Sequence, residues 1–417
     1  MIRSLKGTED ILPPDSGLWN FLELKARSVF EKYGYKEIRT PVIEQTELFK
    51  RGVGNNTDIV QKQMYTFIDP GGRNICLRPE ETAAVVRAYI QHNMPQKEKF
   101  VKLFYFGSMY RSERPQAGRK REFTQFGVEA LGSYSSYVDA EIIILLDNLL
   151  KEMSITDYKF RINSLGCEKD KNTFKSELKK LLKNHVSDLC EDCRRRYDTN
   201  ILRILDCKRQ TCRKIASSVK ITNKHLCKEC DKSFNDIISV IEKQGIDYDH
   251  DVFLVRGLDY YTKTVFEVTS KDLGAQDSIA AGGRYDNLVK NLGGPDTGAC
   301  GFALGFERVL SLIKKEPLAY VRQGPMLYIV PIDDNANKIA FDILCELRKK
   351  GLYCDMDYQQ RSVKAQMRYA DKINAKYVAV IGDDEIKSKK VNLKNMETGN
   401  ERGVLISELP KYINSGP

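Results

Sequence analysis

Residues 100–131 constrain the fold most, because they predict two long strands joined by a basic loop. The first strand, FVKLFYFGSMYR, is rich in aromatic and β-branched residues. In the second, which begins at Phe123, a period of two divides the residues between two faces. One face carries Phe123, Gln125, Gly127 and Glu129, and the other carries Thr124, Phe126, Val128 and Ala130. The second face predicts core, and the first, with glycine leaving a gap, suits a small polar molecule lying on a sheet.

The loop of this hairpin holds five positive charges, on Arg111, Arg114, Arg119, Lys120 and Arg121. Guanidinium groups bind phosphate oxygens in a planar, bidentate manner and stay charged at any working pH. The loop therefore predicts a site for a polyphosphate. The alternative is a solvated basic hairpin, since runs of charge often mark only a surface.

Length and composition indicate a globular protein of two or three domains, with 417 residues of which 41% are hydrophobic. No run of eighteen apolar residues occurs, and no apolar segment follows the first basic residues, so neither a membrane anchor nor a secretory signal is predicted. Eleven cysteines in a chain of this size argue against a disulfide framework. We expect a cytoplasmic protein with reduced thiols.

Positive charge is concentrated between Cys167 and Gly245, where 19 lysines and arginines face 12 acidic residues. Basic density on one module predicts an anionic macromolecule as a partner, and a solvated helical surface is the alternative. Within this segment Cys190 and Cys193 form one CxxC pair, and Cys227 and Cys230 form another. Paired thiolates at this spacing are typical of tetrahedral zinc, so we predict a structural Zn²⁺ on these four cysteines. Reduced thiols in a small helical domain are the alternative.

Two segments before the hairpin predict elements that could border a ligand or a subunit. A helix is predicted over 18–33, followed by a strand over 35–49 that Pro41 interrupts. Proline suits an edge or interface strand, so this segment could border a second subunit. Residues 75–91 predict a strand end followed by a helix, with Glu80, Glu81 and Thr82 at the junction, where they would meet a cationic group.

Three segments after residue 250 add further site candidates. Residues 254–268 predict a strand whose parity groups Arg256, Leu258 and Tyr260, and residues 278–289 carry a small-residue run before Arg284 and Tyr285. Glycine in a strand permits close approach of a ligand, although a bulge in an ordinary sheet is the alternative. Residues 297–315 predict a glycine-rich strand leading into a helix that starts with Glu307 and Arg308.

Beyond a predicted linker at 314–325, short apolar strands alternate with helical stretches, which predicts a small α/β domain. No GxGxxG follows a strand, so dinucleotide binding is not expected. The charge from residue 325 onward is nearly balanced, with 15 basic and 13 acidic residues, so any contact with RNA must be local. The alternative is a domain that makes dimer contacts only.

Together these segments resemble a known family. The hairpin with Arg111 and Glu113, the GFALGFER segment and the segment around Pro41 resemble the three signature motifs of class II aminoacyl-tRNA synthetases. RGLDYYT (256–262) and AAGGRYD (280–286) resemble two motifs peculiar to histidyl-tRNA synthetases. The resemblance implies an α+β catalytic domain with a central antiparallel sheet over 1–320, a basic, Cys-rich helical insertion over 167–245, and a C-terminal α/β anticodon-binding domain over 325–417.

The resemblance also implies a reaction: ATP-dependent ligation of L-histidine to tRNA(His) through histidyl-adenylate, in translation, by a homodimer that uses ATP with Mg²⁺. Catalytic roles fall to Arg111 and Arg256, on opposite sides of the α-phosphate. The implied ATP-binding residues are Arg111, Glu113, Arg119, Arg121, Phe123 and Arg308. The implied histidine-binding residues are Glu80, Thr82, Gln125, Glu129, Arg256, Tyr260, Tyr261 and Tyr285. Arg114 and Gln116 are implied at the acceptor end of tRNA.

Two departures and two alternatives accompany this reading. Many relatives have Gln and His where this chain has Glu122 and Thr124, but strand parity points both away from the ligand face. The regulatory subunit of ATP phosphoribosyltransferase shares the catalytic fold but is shorter, lacks the anticodon domain and loses active-site residues. A class II enzyme of another specificity would lack RGLDYYT. Arg256 and the C-terminal segment favour the histidine enzyme.

Overall fold

The computed structural model describes residues 2–116, 118–219, 225–313 and 324–414. The chain divides into two compact units, residues 1–316 and 317–417. Most of the predicted linker at 314–325 lies outside the described residues. In the described part of the chain, no helix combines the length and the apolar character that crossing a membrane requires.

The described strands of the first unit form one large sheet and one small sheet. They are β1 (Lys36–Glu37), β2 (Ile43–Gln45), β3 (Thr66–Ile68), β4 (Asn74–Leu77), β5 (Val101–Tyr110), β6 (Glu122–Leu131), β7 (Lys159–Ser164), β8 (Tyr248–His250), β9 (Thr262–Thr269), β10 (Ser278–Arg284) and β11 (Ala299–Gly305). The large sheet has the order β1-β5-β6-β11-β10-β9-β7-β8, and the small sheet has the order β2-β4-β3. Pairing is antiparallel through the centre of the large sheet and parallel only at its two edges, which confirms the predicted central antiparallel sheet.

Helices surround these sheets. Those described in the first unit are α1 (Asp15–Lys32), α2 (Thr46–Val53), α3 (Thr82–Gln91), α4 (Met94–Lys97), α5 (Ser136–Glu152), α6 (Glu168–Leu182), α7 (Glu191–Thr199), α8 (Gln210–Ser218), α9 (Lys228–Lys243), α10 (Leu288–Asn291) and α11 (Phe306–Leu312). Helices α6 to α9 lie between β7 and β8, which confirms the predicted helical insertion. Because β7 and β8 pair in parallel, the chain leaves and re-enters the sheet at one edge.

The predicted hairpin is the longest pairing in the large sheet. Strands β5 and β6 remain in register from Val101 opposite Leu131 to Tyr110 opposite Glu122. Phe126, Val128 and Ala130 are buried, as the predicted core face requires. The Phe126 ring stacks on Phe306 of α11 with ring centroids 4.3 Å apart. This packing anchors the start of α11 beneath the hairpin, which leaves the opposite face of β6 for the site.

The second unit has its own sheet and core. Its described elements are β12 (Leu327–Pro331), α12 (Asp334–Lys349), β13 (Cys354–Met356), α13 (Val363–Lys372), β14 (Tyr377–Ile381), α14 (Asp383–Ser388), β15 (Lys390–Asn395), β16 (Glu401–Leu405) and α15 (Leu409–Asn414). The sheet order is β13-β12-β14-β15-β16, and its first three strands are parallel, as the predicted alternation of strands and helices requires. The antiparallel pair β15–β16 was not predicted.

Two predicted strands are wrong in part. Residues 35–49 were predicted as one strand, but β1 and β2 lie on either side of Pro41 in different sheets, and α2 begins at Thr46. Residues 254–261 are not a strand, since β9 begins only at Thr262. Their backbone groups bond outside the sheet: the Asp259 amide donates to the Val53 carbonyl at 3.1 Å, and Lys171 binds the carbonyls of Asp259 and Tyr261. These partners take the place of the hydrogen bonds that a neighbouring strand would provide.

Candidate active site

A pocket of about 410 Å³ lies over the large sheet where β6, β10 and β11 are neighbours. Its floor is built from small residues, because Ala281 of β10 and Ala303 of β11 face each other in the register. Charged and aromatic side chains form the walls. The sequence-predicted site residues that line it are Glu80, Thr82, Arg111, Glu113, Arg119, Phe123, Gln125, Arg256, Tyr260, Tyr261 and Arg308.

Arg111 follows directly after β5 and forms one wall. Its Nε donates to the Pro79 carbonyl at 2.9 Å, and its guanidinium carbon lies 5.1 Å from the centre of the Phe123 ring. This bond and the ring contact fix the direction of the side chain. Burial lowers the pKa of Arg111, but an arginine still stays charged at working pH. A partly desolvated fixed cation of this kind binds a phosphate more strongly than an exposed one.

Two more arginines, Arg256 and Arg308, line the same pocket. Arg256 pairs with Glu267 at 3.1 Å through Nη1, while its buried Nε has no hydrogen-bond partner in the described structure. Arg308 donates from Nε to the Gly118 carbonyl at 3.3 Å and from Nη1 to the Ser278 carbonyl. Burial is the largest influence on the pKa of Arg308 and lowers it. The pocket therefore brings four guanidinium groups, those of Arg111, Arg119, Arg256 and Arg308, from three distant segments around one volume.

Gln125 lines the pocket with a side-chain amide. Its buried Oε1 accepts no hydrogen bond from the described residues. Nearby, the Glu80 carboxylate accepts from the backbone amides of Thr82 and Ala83, each at 2.9 Å, at the start of α3. Burial raises the pKa of Glu80 against these bonds. An unpaired buried acceptor is costly, so Gln125 is well suited to accept from a donor group on a ligand.

Glu129 lies one layer deeper and does not line the pocket. It is 1% exposed and accepts from the Thr82 hydroxyl at 2.7 Å and from the Tyr285 hydroxyl. A Cβ at Gly301 would come within 1.9 Å of its carboxylate, so that glycine makes the space for it. Burial raises the pKa of Glu129 to about 8. The predicted histidine-binding set is therefore split, with Glu129 and Tyr285 behind Thr82.

Several predicted residues lie outside this pocket. Arg121 donates from Nε to the Glu113 carbonyl at 3.4 Å, and its own amide bonds the Gly7 carbonyl, so it fixes the loop. Arg114 and Gln116 are exposed on the same loop. Neither Glu122 nor Thr124 lines the pocket, as strand parity predicted. Gly127 leaves no gap, because a Cβ there would meet the Tyr105 hydroxyl at 2.2 Å.

Sequence reasoning missed three contributors. Gln63 lines the pocket from a short turn whose sequence carries no signal. Glu267 orients Arg256 from β9, but the strand predicted over 254–268 hid this contact, because the two residues have opposite parity in it. Lys171 of α6 is buried and donates to the carbonyls of Asp259 and Tyr261 at 3.0 and 2.9 Å. The insertion thus braces the segment that carries Arg256 and both tyrosines.

A second cleft, of about 670 Å³, adjoins the first and shares Arg256, Leu258, Tyr260 and Tyr261 with it. Its other wall comes from the insertion, including Lys175 and Lys179 of α6. Lys179 pairs with Asp198 at 2.9 Å. The cleft therefore connects the basic insertion with the pocket.

The predicted zinc ligand set is wrong. Cys190 and Cys193 lie together with Cys207 and Cys212, whereas Cys227 and Cys230 lie with Cys167 and Asp170. The two CxxC pairs begin different helices, α7 and α9, and each helix start meets a different segment. Spacing along the chain cannot show which ligands meet in space, because the remaining ligands of each group come from other segments of the chain.

An antiparallel sheet with a cluster of arginines over one face is the arrangement expected of a class II aminoacyl-tRNA synthetase. The family model for histidyl-tRNA synthetase matches residues 7–309, and the anticodon-binding-domain model matches 326–415. The chain belongs to the histidyl-tRNA synthetase family. It is 45% identical to the histidine–tRNA ligase of Caldanaerobacter subterraneus subsp. tengcongensis over 414 residues, which cover 99% of each chain. The corresponding ligase of Halothermothrix orenii is 46% identical over 98% of each chain.

A solved structure gives the same result for the fold. The crystal structure of apo Staphylococcus aureus histidyl-tRNA synthetase matches with a TM-score of 0.82 and 36% identity. The match covers 99% of this chain and 100% of the other. The likeness therefore includes both compact units and the insertion between β7 and β8.

Proposed function

We propose that this protein is an enzyme that ligates L-histidine to tRNA(His) with ATP, in translation. The observation that carries the proposal is the pocket in which Arg111 and Arg256 meet Tyr260 and Tyr261 of the histidine-type motif. Relatives named histidine–tRNA ligase match nearly the whole chain, including the second unit. This coverage disfavours the regulatory-subunit alternative, which lacks an anticodon domain.

ATP would bind across the hairpin wall. Phe123 stacks under the adenine, Arg308 lies above it, and Glu113 takes the ribose or adenine edge. Arg119 lies near the outer phosphates, while Arg121 supports them indirectly by holding the loop. Family membership implies Mg²⁺ on those phosphates, and the carboxylates of Glu113 and Glu307, which line the pocket, are the donor type that Mg²⁺ prefers. Mg²⁺ supplies charge neutralisation there when bound.

Histidine would lie between Gln125 and the tyrosines. Gln125 Oε1, which has no partner among the described residues, would accept from the ammonium group of the bound histidine, assisted by Glu80 and Thr82. Its imidazole needs distinct partners for its two nitrogens. Tyr260 and Tyr261 line the pocket directly, and Glu129 with Tyr285 acts through the Thr82 hydroxyl.

The chemistry would be in-line attack of a histidine carboxylate oxygen on the α-phosphorus. The new P–O bond forms as the bond to pyrophosphate breaks, which gives histidyl-adenylate. Arg111 and Arg256 hold the two anions together and neutralise the charge that develops on the α-phosphate oxygens. A ribose hydroxyl of the terminal tRNA adenosine then attacks the adenylate carbonyl, and AMP leaves.

For tRNA we propose a division by segment. Residues 1–320 perform catalysis, the insertion at 167–245 contacts tRNA, and residues 325–417 bind the anticodon. Arg114 and Gln116 are exposed on the loop beside the pocket, where they could reach the acceptor end. The adjoining cleft with Lys175 supports a path for that end from the insertion side. A cytoplasmic homodimer is part of the same proposal.

The test is pyrophosphate exchange into ATP with each of the twenty amino acids, followed by charging of tRNA(His). We expect exchange with histidine alone and transfer of histidine to that tRNA. Exchange with another amino acid, or none with any, would overturn the proposed specificity. Exchange with histidine but no charging would overturn the proposed tRNA.

A further inference from the structure

Two groups of metal-ligand side chains lie inside the insertion, away from the pocket. The first holds Cys190, Cys193, Cys207 and Cys212, and the second holds Cys167, Asp170, Cys227 and Cys230. In each group one ligand atom per residue lies within 4.8 Å of every other. Four convergent ligand atoms per group are the number that a closed tetrahedral site requires.

The spacing of the sulfur atoms suits a shared ion and not a disulfide. The Sγ atoms of Cys190 and Cys207 are 3.9 Å apart. Tetrahedral zinc with bonds of about 2.3 Å separates its sulfurs by about 3.8 Å. A disulfide joins its sulfurs at about 2.05 Å. The seven cysteines and one carboxylate of the two groups are therefore positioned as ligands around two points, and the cysteines are free of disulfide bonds.

Helix starts create both groups. Cys190, Cys227 and Cys167 are the N-cap residues of α7, α9 and α6, and the ligand three residues later lies in the first turn of the same helix. An N-cap residue and the third helical residue face the same side, so each helix start presents a ready pair of ligands. The positive end of the helix dipole favours thiolates there.

Backbone amides already point at the sulfurs. The Cys190 amide donates to Cys212 Sγ at 3.3 Å, and the Cys167 amide donates to Cys230 Sγ at 3.2 Å. Both bonds join a helix start to its partner segment across the group. They are the outer hydrogen bonds that orient the ligands of a metal site. Cys193 and Cys212 are fully buried, which closes the first group to solvent.

We propose that the insertion holds two structural Zn²⁺ ions, one on the four cysteines of the first group and one on Cys167, Asp170, Cys227 and Cys230. Asp170 also accepts from the Cys167 amide at 3.3 Å through Oδ2, and this bond fixes the direction of a carboxylate whose other oxygen can bind a metal. The second ion joins the starts of α6 and α9, which are the first and last helices of the insertion. The first ion joins α7 to α8 within it.

The first experiment counts metal in the full chain purified without chelator, with zinc and iron both measured by elemental analysis and by native mass spectrometry. The proposal expects two zinc ions per chain and no iron. One zinc ion or none, after reconstitution with zinc under reducing conditions, would overturn it. Neither measurement uses activity, so its failure is independent of the proposed function.

Single substitutions then locate each ion. Cys207→Ala and Asp170→Ala should each reduce the count from two to one, and the double variant should reduce it to none. The matched control is Cys345→Ala, because Cys345 lies on α12 in the second unit and should leave both ions. A single site on Cys190, Cys193, Cys227 and Cys230 would instead leave the count unchanged in Cys207→Ala, and that result would overturn the proposal.

A titration of the metal-free wild-type protein with Co²⁺ tests the proposal in case the variants do not fold. Thiolate-to-cobalt absorption should rise until two equivalents have bound, and the spectrum should be that of tetrahedral coordination. Saturation at one equivalent would contradict the two-site arrangement. This measurement needs no substitution, so it tests the proposal even if the variants fail to fold.

Discussion

Glu129 is a buried acid that two hydroxyl groups bind, so its environment acts on its charge in two directions. Burial favours the neutral form, while donation by Thr82 and Tyr285 favours the ionised form. Burial prevails and raises the pKa to about 8 from an ordinary value of 4.5. The folded protein therefore retains a proton that the unfolded chain has released across this interval.

This difference predicts a dependence of stability on pH. Between pH 4.5 and about 8 the folded state binds more protons at Glu129 than the unfolded state, so stability falls as pH rises through that window. In Glu129→Gln this contribution is absent, and the melting temperature should vary less with pH. Melting curves at several pH values measure the slope. Glu122→Gln is the control and should keep the wild-type slope; an unchanged slope in Glu129→Gln would contradict the shifted pKa.

Arg256 should act on the transition state more than on substrate binding. Its Nε has no partner among the residues that the structure describes, and its Nη1 is fixed by Glu267 at 3.1 Å. Replacement by alanine should lower kcat for histidine-dependent exchange about 10²–10³-fold, the usual cost of one preorganised donor. Arg256→Lys should recover only part of the loss, since it lacks the planar fork. A rise in KM for ATP at unchanged kcat would assign Arg256 to ground-state binding instead.

Among elements, α6 has the most unexpected role, because it reaches from the insertion to the segment that carries Arg256 and both tyrosines. Lys171 is buried, and burial lowers its pKa, yet it donates to the carbonyls of Asp259 and Tyr261. Both of those residues lie before β9, which begins at Thr262. The helix thus replaces a missing ladder in the segment that holds Arg256.

Removal of this brace should weaken histidine binding. We expect Lys171→Met to raise KM for histidine about tenfold, because the carbonyls of Asp259 and Tyr261 lose this donor and the segment with Tyr260 and Tyr261 is no longer held. The KM for ATP should change less. Lys180→Met, at an exposed position of the same helix, is the matched control. Equal effects of the two variants would show that the brace is unimportant.

The elements also show what sequence patterns can predict. The hairpin β5–β6 was predictable because the aromatic and β-branched composition of β5 and the alternation within β6 are both local features of the sequence. Residues 254–261 also alternate, but the partners of their backbone lie on α2 and α6, far away in sequence. The division of the histidine-binding residues into two layers depends on Gly301, whose missing side chain leaves room for Glu129. No local pattern contains that information.

The predicted zinc ligands of the insertion do not all lie together, for a related reason. A CxxC pair indicates a ligand pair with confidence, because both cysteines lie on one helix start. Which pairs meet is decided by tertiary packing. Cys207 and Cys212 were visible in the sequence, but their five-residue separation gave no reason to prefer them over the second CxxC.

At the scale of the molecule, two units with separate cores predict separable activities. The second unit has a core of its own, which includes Leu327, Ile329, Leu344 and Ile381. A chain ending at residue 320 should therefore keep histidine-dependent exchange within about threefold of the full chain. Charging of tRNA(His) should fall about 100-fold or more, equivalent to about 2.8 kcal/mol of lost binding. Equal losses in both assays would mean that the second unit supports the first unit's fold.

The contact of Lys171 with the Asp259 and Tyr261 carbonyls has a thermodynamic consequence. These bonds join the insertion to the segment that carries Arg256 and both tyrosines. A tRNA contact that shifts α6 would therefore alter the affinity for histidine. Linkage requires the reverse effect by the same factor: bound histidine alters the affinity for tRNA. Through the ammonium group of Lys171, the binding of histidine and the binding of tRNA would each depend on whether the other ligand is bound.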